Sequence, residues 1–211
     1  MPTSSHTNPP RPSNRARVPV MELLKEKILS EGVVLSEKII IVNSFLNHQI
    51  DAGLMEAIGT EFARIFADAG ATKILTAEVS GIPPALATGM KLSVPVIYAR
   101  KTRPSTMGGD ILRARVRSAT TDTEYEIVVK RDYLSPDDRV LLIDDFISEG
   151  YATCALCDIV RSAGARIVGV GTVIEKAFLG GRRRFEEGLD APVHALVRIT
   201  HMGEDGITFD E

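Results

Sequence analysis

The stretch from Val140 to Thr153 constrains this chain more than any other. Val140-Leu141-Leu142-Ile143 is too short for a helix and uniformly apolar, which predicts a buried strand of the kind found in parallel sheets. Asp144 and Asp145 follow at once, where that strand is expected to end. A small-residue turn comes next, and a helical pattern runs from Tyr151 to Ala163. Ser148 to Thr153 therefore form a strand-to-helix turn whose free backbone N–H groups converge on one spot, a cradle suited to phosphate. The two carboxylates are badly placed to bind phosphate but well placed to accept hydrogen bonds from sugar hydroxyls or to hold a magnesium hydration shell. A ribose 5-phosphate satisfies both halves.

Elsewhere, strands alternate with helices. Met21, Leu24 and Ile28 share a helical face that Gly32 terminates, and Asp51 can cap a helix carrying Leu54, Ile58, Phe62 and Ile65 before Gly70. Lys73 to Ala77, Val94 to Ala99, Arg139 to Ile143 and Ile167 to Ile174 read as core strands, with helices near Pro83 to Lys91 and Tyr151 to Ala163. The expected fold class is α/β, a doubly wound, mainly parallel sheet. The chain turns polar and Gly-rich between Lys101 and Leu112. Arg113 to Ser118 and Tyr125 to Lys130 then read as an antiparallel hairpin, expected to serve as a mobile flap.

Composition narrows the class. With 211 residues, 44% of them hydrophobic, the chain can bury a sizeable core. A net charge of −3 excludes a general nucleic-acid binder, so any polyanion handled should be small. No run approaches the ~18 apolar residues of a membrane span, and the expected compartment is the cytoplasm. Residues 1–20 hold five of the eleven prolines, three arginines and no acidic residue. That composition predicts a disordered extension ahead of a domain spanning 21–211.

Four ordered blocks accompany the acidic motif: Met21 to Lys25, Glu31 to Ser36, Ser44 to Asp51, and Val173-Ile174-Glu175-Lys176. With it they resemble the type I phosphoribosyltransferases, and within them the bacterial xanthine enzymes. The resemblance implies transfer of a 5-phosphoribosyl group from phosphoribosyl diphosphate to N9 of xanthine, in purine salvage, by a homodimer with a small N-terminal base-binding lobe. It implies that Asp144 and Asp145 engage the ribose hydroxyls and stabilise positive charge developing on the sugar. Ser148, Glu149, Gly150, Tyr151 and Ala152 would hold the 5′-phosphate. Glu78, Ser80 and Gly81 would receive the diphosphate, with Lys101 closing over it, and Ile40, Asn47 and Lys176 would contact the base. Magnesium would be carried mainly by the donor rather than by protein ligands.

Two departures from the family pattern stand out. Val79-Ser80-Gly81 replaces the familiar Ser-Ser-Gly, and Glu149 puts an acid in the phosphate turn, its side chain expected to point outward. P-loop chemistry is excluded because no Gly-x4-Gly-Lys-Ser/Thr element exists. Cys154 and Cys157 share a helix face and read as reduced thiols, and the four histidines form no metal-ligand pattern. The alternatives on the same scaffold are guanine or hypoxanthine transfer, and a purine-sensing regulator, which twenty proline-rich residues cannot furnish with a DNA-binding domain.

Overall fold

A computed structural model describes residues 19–102, 108–117 and 123–210. The chain builds α1 (Val20–Glu31), β1 (Val33–Ser36), β2 (Ile39–Ile41), α2 (Ala52–Ile65), β3 (Lys73–Ala77), α3 (Ile82–Leu92), β4 (Val96–Ala99), β5 (Ile111–Arg117), β6 (Glu124–Lys130), β7 (Arg139–Ile147), α4 (Tyr151–Ser162), β8 (Arg166–Lys176), α5 (Arg183–Glu186), β9 (Val193–Gly203) and β10 (Gly206–Phe209). The central sheet has the order β10-β9-β8-β7-β3-β4. All its pairs are parallel except β10 with β9.

The apolar run in β7 is continuous because both faces of the sheet are covered. Leu141 and Ile143 join the core beneath α1, α2 and α3, while Val140 and Leu142 join a second core beneath α4 and the β5–β6 hairpin. The hairpin itself is anchored in that second core by Leu112, Ala114, Val116, Ile127 and Val129, all buried. Ser118, the expected end of the hairpin's first strand, residues 119–122 and residues 103–107 of the polar stretch lie outside the described residues.

Local signals behave as the sequence predicts. The Asp51 carboxylate accepts the Leu54 N–H at 3.0 Å, and Gly32 caps α1 by donating to the Ile28 carbonyl at 3.0 Å. The small lobe consists of α1, the β1–β2 hairpin and a π-helical turn at Asn43–Asn47. It packs directly on the first core through Leu24, Ile28, Val42, Phe45 and Leu46.

Several boundaries move. β7 runs on to Ile147, so Asp144 and Asp145 lie inside the strand, where Asp144 pairs with Thr172 of β8. β8 likewise includes Lys176 as its last residue. Val20, placed in the extension from sequence, begins α1 with its side chain in the core. The sequence patterns did not mark β1, β2, β9 and β10. Among the described residues, no helix is long and apolar enough to cross a membrane.

Candidate active site

After β3 the chain crosses to β4 on one side, and later to β7 on the other, so the strand order reverses between β3 and β7. In open α/β sheets the crevice outside the carboxyl ends of the strands at such a point is where ligands bind. The loop Glu78 to Ile82 follows β3, and Asp144, Asp145 and the turn Ser148 to Gly150 come at the carboxyl end of β7.

Asp144 is 8% exposed. Its Oδ1 accepts the Asp145 N–H at 3.1 Å and lies so close under Gly81 that a Cβ there would collide with it and with the Thr76 hydroxyl. Only glycine lets the loop after β3 settle on the carboxylate. Burial, and then the charge of Asp145, push Asp144 well above the usual carboxylate range. A pKa raised on folding penalises the ionised form, so stability is lost as pH rises through the folded value. Asp144→Asn should therefore melt higher than wild type at neutral pH. The gain should vanish below the unfolded carboxyl's pKa of about 3.9. Thermal melts across pH test this, and an Asn variant melting lower at pH 7 would contradict it. Asp145 is half-buried and has its charge near Lys176.

Glu78 requires a correction. Its N–H donates to the Ala99 carbonyl at 3.0 Å, its carboxylate accepts the Lys101 N–H at 2.6 Å, and its other oxygen lies 3.9 Å from Arg100 Nε. Glu78 thus ties its loop to the end of β4 rather than offering a free N–H to a ligand. Ile82 N–H is also used, by the Val79 carbonyl. The N–H groups of Val79, Ser80 and Gly81 remain without a hydrogen-bond partner among the described residues.

The turn from Ser148 to Gly150 leads into α4, whose first-turn N–H groups open onto a cavity of about 300 Å³. Ser148 to Thr153 line it, together with Lys101, Phe146, and Arg117 and Tyr125 of the hairpin. Lys101 Nζ sits 5.6 Å above the Tyr125 ring. Gly150 adopts φ +81°, and a Cβ on it would collide with the Gly181 carbonyl oxygen. Gly150→Ala should raise the KM for a phosphorylated donor by about tenfold or more, because both strain and collision displace the turn. Steady-state kinetics check this, and an unchanged KM would contradict it.

Lys176, 9% exposed, donates to the Lys38 carbonyl at 2.8 Å and lies 5.2 Å from the Phe146 ring centroid. It bridges the sheet to the small lobe. Burial lowers its pKa, while the charge of Asp145 acts to raise it. Ile40 is 7% exposed and packs in the first core, so its side chain serves the lobe's interior. Asn47 stands exposed on the π-helical turn. Cys154 is half-buried, and burial pushes the Cys157 thiol up to about 12.

Sequence patterns did not reveal the wall behind the turn. A Cβ on Gly181 would strike the Ser148 carbonyl, Arg184 Nε donates to the Glu149 carbonyl at 2.8 Å, and the Arg184 guanidinium stacks 4.1 Å from the Tyr151 ring centroid. The Gly180-Gly181 pair followed by three arginines was the signal available.

No family model matches the chain. A xanthine phosphoribosyltransferase of Moorella thermoacetica is 51% identical over 191 residues, covering 90% of this chain and 96% of that protein. One from Pseudomonas entomophila (strain L48) is 48% identical over 191 residues, covering 90% and 100%. The chain belongs to the xanthine phosphoribosyltransferase family. The fold is shared more widely. Adenine phosphoribosyltransferase from Rhodothermus marinus superposes with a TM-score of 0.69 at 22% identity, over 85% of this chain and 98% of that one. The enzyme from Saccharomyces cerevisiae gives 0.68 at 20%, over 84% and 98%. The family's fold is thus the type I phosphoribosyltransferase fold expected from the sequence, and this member is a pentosyltransferase.

Proposed function

We propose that the chain transfers the 5-phosphoribosyl group from phosphoribosyl diphosphate to N9 of xanthine, giving xanthosine 5′-monophosphate and diphosphate. The observation that carries this reading is the convergence, at the sheet's switch point in a chain of this family, of the acidic pair with the Ser148–Ala152 turn. The turn binds the 5′-phosphate through backbone N–H groups, and Asp145 faces the ribose as positive charge develops on it. Asp144, pressed under Gly81, links the sugar site to the diphosphate loop. The free N–H groups of Val79, Ser80 and Gly81 receive the diphosphate, and Lys101 completes that subsite. Lys176 and Asn47 donate to the oxygens of xanthine.

Among the described residues no three His, Cys, Asp or Glu side chains gather to hold a metal ion. The acidic pair suits the hydration shell of a magnesium ion that arrives with the donor. When bound, magnesium neutralises charge on the departing diphosphate. The enzyme works in the cytoplasm and as a homodimer. Ile50, Leu86 and Met90 form an exposed apolar patch beside the diphosphate loop that a second copy would cover. Residues 1–18 contribute nothing to catalysis, and a chain beginning at Pro19 should keep full activity and its Tm. A start at Met21 removes the buried Val20 and should melt lower.

The test is product identification. The purified protein with phosphoribosyl diphosphate, magnesium and xanthine should form xanthosine 5′-monophosphate and diphosphate in equal amounts, and chelation should stop it. Absence of that nucleotide would overturn the reading.

A further inference from the structure

Glu175 precedes the base-site lysine on β8, and its side chain is 3% exposed. Arg182 Nε donates to both oxygens at 3.1 Å, Arg182 Nη2 also bonds Oε2, and Arg198 Nε of β9 donates at 3.2 Å. Arg182 Nη1 reaches on to the Val193 carbonyl at 3.1 Å, and Asp210 pairs with Arg198, so the four charges cancel. Only the Glu175 carboxylate in this cluster is buried, and such a pairing adds little to stability over well-packed apolar residues, but a forked arginine fixes position in two directions.

What it fixes is the segment between β8 and α5. That segment is thinly buried, with Phe178 and Gly180 exposed and Gly180 at φ +66°. Yet its backbone at Gly181 packs against Ser148 and Gly150 too closely to admit a Cβ on either glycine, and Arg184 holds the Glu149 carbonyl. Arg182 lies between these two contacts. We propose that Glu175 is a positioning residue for the phosphoribosyl donor, acting through Arg182 on the wall that shapes the Ser148–Gly150 turn; this rests on the reading above that the turn holds the 5′-phosphate. Adjacent residues of one strand end thereby serve the two substrates, Lys176 the base and Glu175 the donor.

The test uses the full chain carrying Glu175→Gln or Arg182→Lys. Glu175→Gln keeps the shape and removes the charge that holds two guanidinium groups. Its KM for phosphoribosyl diphosphate should rise about tenfold, with kcat and the KM for xanthine within about twofold of wild type. An unchanged donor KM, or equal rises for both substrates, would overturn the proposal. Should Glu175→Gln not accumulate as folded protein, Arg182→Lys decides. It keeps the charge but loses the fork, and should raise the donor KM about threefold with xanthine unaffected; no change there overturns the proposal equally. Calorimetric binding of phosphoribosyl diphosphate alone should weaken in parallel. That readout stands apart from base choice, so a failure of the xanthine assignment in wild type remains distinguishable from a failure of the clamp.

Discussion

Asp145→Asn should turn over at least about a hundredfold more slowly than wild type while folding normally. The substitution keeps size and removes the charge facing the sugar, and losing one preorganised electrostatic partner costs on that scale. Asp145 is half-buried within β7, and its neighbour Asp144 is poorly able to substitute. Burial and the Asp145 charge itself hold Asp144 toward its neutral form. The effect should fall on kcat, because the positive charge exists only in the transition state. Steady-state turnover with saturating substrates checks it, and activity within twofold of wild type would remove Asp145 from the mechanism.

Lys176→Met is expected to lose xanthine kcat/KM by roughly 5- to 150-fold, the equivalent of about 1–3 kcal/mol for leaving a buried oxygen unpaired. Two losses combine. The ammonium no longer donates to a base oxygen, and the bond to the Lys38 carbonyl that holds the small lobe against the sheet disappears. Asn47→Asp should act in the same direction, since it replaces a donor by an acceptor at the C2 side, where xanthine carries a carbonyl and guanine an amine. For both variants the KM for phosphoribosyl diphosphate should stay within about twofold. Equal loss for both substrates would assign these residues to the lobe's packing instead of base choice.

The parts of the fold that were legible from sequence are those where one local pattern suffices. The Val140 to Ile143 run reads as a strand because both faces are buried, and Asp51 and Gly32 mark helix ends by their own hydrogen bonds. The turn from β7 into α4 is legible for the same reason, being continuous in the chain. What stayed hidden depends on distant partners. Asp144 and Asp145 suggested the end of β7, because aspartate is disfavoured in strands, yet pairing of Asp144 with Thr172, Phe146 with Ile174 and Ile147 with Glu175 of β8 carries the strand past them. Glu175 looks like an ordinary strand-end charge until Arg182 and Arg198 are seen on it. Glu78 was placed at the diphosphate by resemblance, and its contact with the Lys101 N–H, 23 residues away, could not be read from the sequence. Ile40 was assigned to the base by resemblance alone, and its packing in the first core depends on neighbours distant in sequence.

The central claim, a xanthine-directed phosphoribosyltransferase, is tested most directly by kcat/KM with phosphoribosyl diphosphate and magnesium against xanthine, guanine, hypoxanthine and adenine in parallel. A site that presents donors from Lys176 and Asn47 should prefer xanthine over guanine and hypoxanthine by about tenfold or more, with adenine not used. Equal or greater kcat/KM for guanine or hypoxanthine would contradict it.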